Sequence, residues 1–421
     1  MFASYSHLDI NIVVGPEKPG QLKATLSGHF LPILIDYSSR TNGPQTRREI
    51  TGSALWRMRA ALRHRDRVRE ISFRGWDVDF IETFIPATNY PFPALESLVL
   101  SFPDGQEPDI PATFLRGSDQ SDLPLRHLRL YGGSLPFVSG LLLSATALTD
   151  LTLNVPFNVA VGRSLRLSQE STLLACLRGM ECLCGLDLTT PHYLPNLPHS
   201  TPKDIVPLLK LTRFHYAGPS RFLNNLMSGL SVPSLQDARF QIVAWMGSPF
   251  LYLSRVIDEV REEFRSISVT FDVDHFCLLS STQSGEIYHP EPSFSFYVNG
   301  FPYSINAINS PPSTKLAMTE ELALNIPCSQ MTRYEHVFSM REFLRQFRSV
   351  RVLRVSPLHF GWELGHYLQQ DDGEAILPLL EEIELSDEEH QRRVAQALAA
   401  FERFASTPKR RAGHPVKVYY H

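Results

Sequence analysis

The sequence predicts an α/β solenoid, with a curved parallel sheet and helices on its convex side. Three observations predict it: a short apolar triplet that recurs along most of the chain, helix-spaced segments between its copies, and an amphipathic stretch that closes the end.

The triplet reads as an apolar residue, two variable ones, a second apolar residue, one variable and a third apolar residue. Leu95/Leu98/Leu100, Leu125/Leu128/Leu130 and Leu148/Leu151/Leu153 are its clearest copies. Looser ones are Val68/Ile71/Phe73, Leu183/Leu186/Leu188, Leu211/Phe214/Tyr216, Leu235/Ala238/Phe240, Phe264/Ile267/Val269, Val350/Leu353/Val355 and Leu380/Ile383/Leu385. Up to Phe264 the copies start 23 to 35 residues apart, which brackets the spacing of leucine-rich repeats. The last two apolar positions alternate, so they share the inner face of a short strand while the residues beside them point outward. Segments 136–144, 172–180, 221–230 and 250–263 have helix-like apolar spacing and are expected to pack on the convex side. One unit cannot bury its own apolar face, so stability must come from neighbours.

The Asn that ladders through the turn of a regular repeat is missing. Pro103, Gly133 and Pro156 stand at the comparable positions, which predicts an irregular, partly flattened leucine-rich-repeat solenoid. Residues 1–421 are expected to form a single such domain with an irregular N-terminal portion over 1–50 and a degenerate or inserted segment over 271–349. In that segment only Phe294/Phe296/Val298 alternates like a strand. A C-terminal cap is expected over 386–421. Its helix, 388–405, places Val394, Leu398, Phe401 and Phe404 on one face, and a basic turn leads to a final strand over 415–420.

Lys and Arg total 40 against 44 Asp and Glu, so the net charge of -4 gives no general attraction to nucleic acid or to an anionic membrane. No apolar run approaches the length of a membrane span. The five cysteines, Cys176, Cys182, Cys184, Cys277 and Cys328, form no disulfide framework in a chain this long. Residues 1–20 lack the basic and apolar regions of a signal peptide, and no Asn-x-Ser/Thr acceptor occurs. The expected location is the cytoplasm or the nucleus.

A catalytic, cofactor or metal site lacks a sequence anchor. There is no phosphate-cradling Gly-rich loop, no Gly-x-Ser-x-Gly elbow and no His-Glu-x-x-His run. Cys182 and Cys184 are one residue apart, unlike a zinc knuckle, and the 15 histidines are scattered, so none is assigned to a metal. Arg57, Arg59, Arg63, Arg65, Arg67 and Arg69 crowd a helix-to-strand junction; a docking patch for an acidic or phosphorylated partner and a solvated helix face are both compatible with them. The acidic run Glu381, Glu382, Glu384, Asp387, Glu388 and Glu389 suits a helix N-terminus.

The most informative positions are the outward residues of the strands, which a stack aligns into one concave, partner-binding face. They are Ser97, Val99, His127, Arg129, Tyr131, Asp150, Thr152, Asp187, Arg213, His215, Asp237 and Arg239. Arg129, Tyr131, Arg213 and His215 are the favoured contact residues, because Arg and Tyr dominate interface energetics.

The runs HRDRVR (64–69), FPALESL (92–98), PATFL (111–115), LLLSAT (141–146), LTRF (211–214) and GHPVKV (413–418), in this order and spacing, resemble the F-box proteins of mushroom-forming fungi. The resemblance extends from about Leu26 to the end. It implies a ubiquitin ligase substrate receptor, whose N-terminal F-box docks on a Skp-type adaptor and whose repeats capture a protein substrate. The Leu-Pro-x-Glu-Leu signature of an F-box is absent here. A Skp-type adaptor is therefore expected as a partner only if an F-box lies upstream of Met1. The alternative is a ligase-independent scaffold or sensor with no catalytic activity. A third reading places an enzyme site in 271–349, which requires converging titratable groups there.

Overall fold

The computed structural model describes residues 33–38, 60–74, 88–102, 114–115, 123–132, 135–154, 169–190, 204–243, 253–260, 266–271, 275–281, 294–299, 313–325, 343–356, 364–365, 368, 376–386, 391–406 and 416–420. Pro103, Gly133, Pro156, Arg57 and Arg59 lie outside these residues. The chain divides into two compact units, one of Met1–Leu211 with Gly229–Ser231 and one of Thr212–Ser228 with Val232–His421. Both are mixed α/β bodies built on largely parallel sheets.

In the first unit six parallel strands follow one another in sequence order: β1 (Ile33–Ser38), β2 (Val68–Arg74), β3 (Ser97–Ser101), β4 (His127–Tyr131), β5 (Asp150–Asn154) and β6 (Gly185–Thr189). Their register aligns like with like. Ile71, Leu98, Leu128, Leu151 and Leu186 form one ladder, and Phe73, Leu100, Leu130, Leu153 and Leu188 the next. Every member is at most 3% exposed. Each buried side chain of this size contributes about 1.5–3 kcal/mol, so the ladders form the core of the sheet's inner face.

The first residue of several triplets closes a turn. Leu95, Leu148 and Leu183 donate their N–H to the carbonyls of Phe92, Ala145 and Met180 three residues earlier. All six of these residues are buried, so each turn is itself an apolar plug under the strand that follows. Just before β3, β4 and β5, one carbonyl accepts two N–H groups from the next copy. Glu96 accepts from Arg126 and His127, Arg126 from Thr149 and Asp150, and Thr149 from Cys184 and Gly185. This continues the backbone ladder beyond the strand ends. Helices α1 (Leu135–Ser144) and α2 (Gln169–Arg178) pack together, and the short strands β7 (Val206–Pro207) and β9 (Leu230–Ser231) pair in parallel.

The second unit orders its strands β8-β10-β13-β12-β11-β14-β15-β16-β17. These are β8 (Arg213–Pro219), β10 (Asp237–Val243), β11 (Ser266–Phe271), β12 (His275–Ser281), β13 (Phe294–Asn299), β14 (Glu321–Asn325), β15 (Val352–Ser356), β16 (Glu382–Leu385) and β17 (Lys417–Tyr420). All neighbours are parallel except the two pairs that β12 makes, with β11 and with β13. Strands β11, β12 and β13 thus form a three-strand meander set into the parallel sheet in reversed spatial order.

The expectation of a single strand-like stretch in 271–349 is corrected here: β12 and β14 lie in it as well. β14 is a full copy of the pattern in which a buried Thr319 replaces the first apolar residue ahead of Leu322 and Leu324. Thr319 still donates its N–H to Leu316, and its Oγ1 donates to the carbonyl of Lys315, so the hydroxyl is satisfied at an apolar position. β1 is a further strand, found in the portion expected to be irregular.

Helix α3 (Ser220–Ser228) is buried over nearly its whole length, and α4 (Leu253–Glu259) packs near the short α5 (Thr314–Met318). Helix α6 (Gln391–Ala405) buries Ala397, Ala400, Phe401 and Phe404 and lies against β17. Gly365 fits closely beneath it, because a Cβ there would stand 2.8 Å from Ala400 Cβ.

Candidate functional site

The outward positions of the first unit form three rows across β3 to β6. They are Ser97/His127/Asp150/Gly185, Val99/Arg129/Thr152/Asp187 and Ser101/Tyr131/Asn154/Thr189. Alternation puts these residues opposite the leucine ladders, which is why small and polar side chains fill them.

Val99 departs from the expectation of an open binding position. It is 5% exposed, and its register neighbour on β2, Ser72, is 4% exposed. The correction has a physical basis: at this end of the row the outward side is covered as fully as the core. Ser72 Oγ and Asp36 Oδ1, which face each other across β1 and β2, are buried with no hydrogen bond among the described residues. The open face begins at β4.

There the side chains hold one another across strands. His127 Nδ1 lies 3.1 Å from Asp150 Oδ2, which also accepts from Thr149 Oγ1 at 3.0 Å. Thr152 Oγ1 donates to Asp187 Oδ2 at 3.4 Å. Arg129 is exposed, and its guanidinium makes no ion pair or hydrogen bond among the described residues. Tyr131 is half-buried two residues further along the same strand.

In the second unit Arg213 pairs in register with Asp237 and His215 with Arg239. Asp237 is the hub: His215 Nε2 lies 3.0 Å from its Oδ2, and Arg239 Nε donates to its Oδ1 at 3.1 Å. Burial works to raise the Asp237 pKa, but the hydrogen bond and charge of His215, seconded by Arg239, outweigh it and hold the carboxyl below its usual value. A second triad was not singled out from the sequence. Arg354 donates from Nε to Glu384 at 2.7 Å and from Nη1 to Glu321 at 2.9 Å, across β14, β15 and β16. Burial here favours the neutral guanidine, yet the two carboxylates outweigh it and raise the Arg354 pKa. The signal was present in the triplets Val350/Leu353/Val355 and Leu380/Ile383/Leu385, whose middle outward residues are Arg354 and Glu384.

The Arg-rich junction is held in part by its surroundings. Arg65 stacks 4.2 Å above the Tyr90 ring, and Arg69 pairs with Glu96 at 3.3 Å. Burial pushes the Cys176 thiol up to about 11. Cys182 and Cys184 are half-buried, and Lys210 Nζ approaches Cys182 Sγ at 3.8 Å. Among the described residues no group of three His, Cys, Asp or Glu is placed to hold a metal ion, and no helix is long and apolar enough to cross a membrane. Among the described residues, the outward face of β4 to β6 carries the His127–Asp150 pair, the exposed guanidinium of Arg129 and the half-buried Tyr131. No family model matches the chain, and no curated protein matches it.

Proposed function

We propose that this chain is a protein-binding module of the leucine-rich-repeat kind, with an irregular solenoid build, and that its outward strand residues meet the partner. The carrying observation is that the triplet strands of the first unit run parallel and in register, with His127, Arg129, Tyr131, Asp150, Thr152 and Asp187 in three adjacent rows opposite the leucine core. A recurring apolar turn and a two-fold-accepting carbonyl at several copies support the repeat reading. Pairing Asp150 with His127 and Asp187 with Thr152 lowers the cost of covering this face with another protein, since buried charges left alone are expensive.

The sequence resemblance to fungal F-box proteins supports the role of a ubiquitin ligase substrate receptor. The partner is then a protein substrate, met in the cytoplasm or nucleus, and the module itself carries no catalysis. Affinity capture followed by mass spectrometry tests the reading, comparing wild type with the double variant Arg129→Glu, Arg213→Glu. A specific set of proteins held by wild type and lost from the variant is expected. An unchanged set would remove the proposed face. A Skp-type adaptor among the captured proteins would carry the ligase role, and its absence would leave a scaffold.

A further inference from the structure

We infer that the first unit recognises an anionic side chain of its partner, and that Arg129 is the residue that reads it. This rests on the protein-binding reading above and names the chemistry that the partner must bring.

The argument is one of charges already spent. On the described outward positions of β3 to β6 the basic side chains are His127 and Arg129. His127 faces Asp150 at 3.1 Å, and that carboxylate also accepts from Thr149. Asp187, two strands from Arg129 in the same row, accepts from Thr152. The register neighbours of Arg129 are the uncharged Val99 and Thr152. Arg129 thus has no carboxylate at its guanidinium among the described residues, while Asp150 is met by His127 and Thr149, and Asp187 by Thr152 through one of its two oxygens.

A partner that covers Arg129 without supplying an anion must strip water from a guanidinium and leave its donors unmet, which opposes binding. A carboxylate or phosphate presented in plane meets two of those donors at once. β4 to β6, with half of β3, span roughly 15 Å at the usual strand spacing, enough for one extended segment or one helix of about 10–12 Å diameter. Tyr131, half-buried on the same strand, supplies an aromatic wall beside the anion. In the second unit the contrast is plain: Arg239 is held by Asp237, and Arg354 lies between Glu321 and Glu384, so those cations already have their anions.

The test is selection of a displayed library of randomised peptides on the full wild-type chain and on Arg129→Leu. The wild-type pool is expected to be enriched in Asp and Glu at one position by about fivefold over the unselected library, and the Arg129→Leu pool to lose that enrichment. Synthetic versions of one selected peptide then separate the sources of the anion. Glu and phosphoserine at the enriched position should each bind at least about fivefold tighter than Gln, and the tighter of the two marks the natural chemistry. A wild-type pool without acidic enrichment, or enrichment that survives Arg129→Leu, would overturn the assignment and leave the protein-binding reading standing. Failure to select any pool on wild type would overturn both.

Discussion

A Cβ built on Gly132 would lie 2.4 Å from the carbonyl oxygen of Phe102 and 3.1 Å from Phe102 Cβ. Gly132 ends β4 with φ +77° and donates its N–H to the carbonyl of Asn154 at 2.8 Å, while Phe102 donates to Tyr131 at 2.7 Å. The close approach and the left-handed backbone both require glycine here. Gly132→Ala is expected to lower the unfolding free energy by roughly 2–4 kcal/mol. Urea unfolding followed by circular dichroism checks it, and a loss below about 1 kcal/mol would show that the turn yields easily.

Arg354 separates two carboxylates that would otherwise face each other on a half-buried surface, with Glu321 only 16% exposed at the side chain. Replacing Arg354 with Met should cost about 1–3 kcal/mol, because it leaves two like charges unmet. Adding Glu321→Gln and Glu384→Gln should recover most of the loss. If the triple variant is no more stable than Arg354→Met, the cation contributes through packing and not through charge.

The depressed pKa of Asp237 fixes the sign of a pH effect. A carboxyl whose folded value lies below its unfolded value contributes stability that is fully present above the unfolded value, near pH 4, and lost as pH falls through the folded one. Asp237→Asn should therefore lower Tm at about pH 6, and its gap to wild type should close as the pH is taken toward about 2–3. A gap that stays constant over that range would mean that the ion pairs of Asp237 with His215 and Arg239 contribute nothing.

Cys176 is buried at 1% exposure, and its thiol is pushed up to about 11, so almost none of it is thiolate at neutral pH. Brief iodoacetamide treatment of the native protein should label Cys182 and Cys184 and spare Cys176, with Cys176 reacting only in denaturant. Peptide mass spectrometry reads each site separately. Early labelling of Cys176 would show that α2 opens readily.

The apolar triplets were legible because burial forces Leu98, Leu128, Leu151 and Leu186 into one ladder, and that constraint writes itself into the sequence at fixed spacing. β14 is not legible in the apolar pattern because Thr319 stands at its first position, satisfies its hydroxyl locally and so reads as a polar loop residue. β12 runs against its neighbours, and no repeat spacing announces an antiparallel strand. Among the outward residues alternation gave the side but not the cover. Val99 is buried by an outward surface that a period-two pattern does not encode. The pairing of His215 with Asp237 needed the register of β8 against β10, which lies between segments and in neither alone.

The most direct test of partner binding on the strand side is position-specific photocrosslinking. Benzoylphenylalanine replaces Tyr131 on the outward face of β4 in one protein and Leu143, an exposed apolar residue of α1 that is 57% exposed, in another. Irradiation in cell extract followed by denaturing gels and mass spectrometry should give discrete protein adducts from position 131 and none from 143. Adducts from 143 with none from 131 would put the partner on the helices and contradict the account.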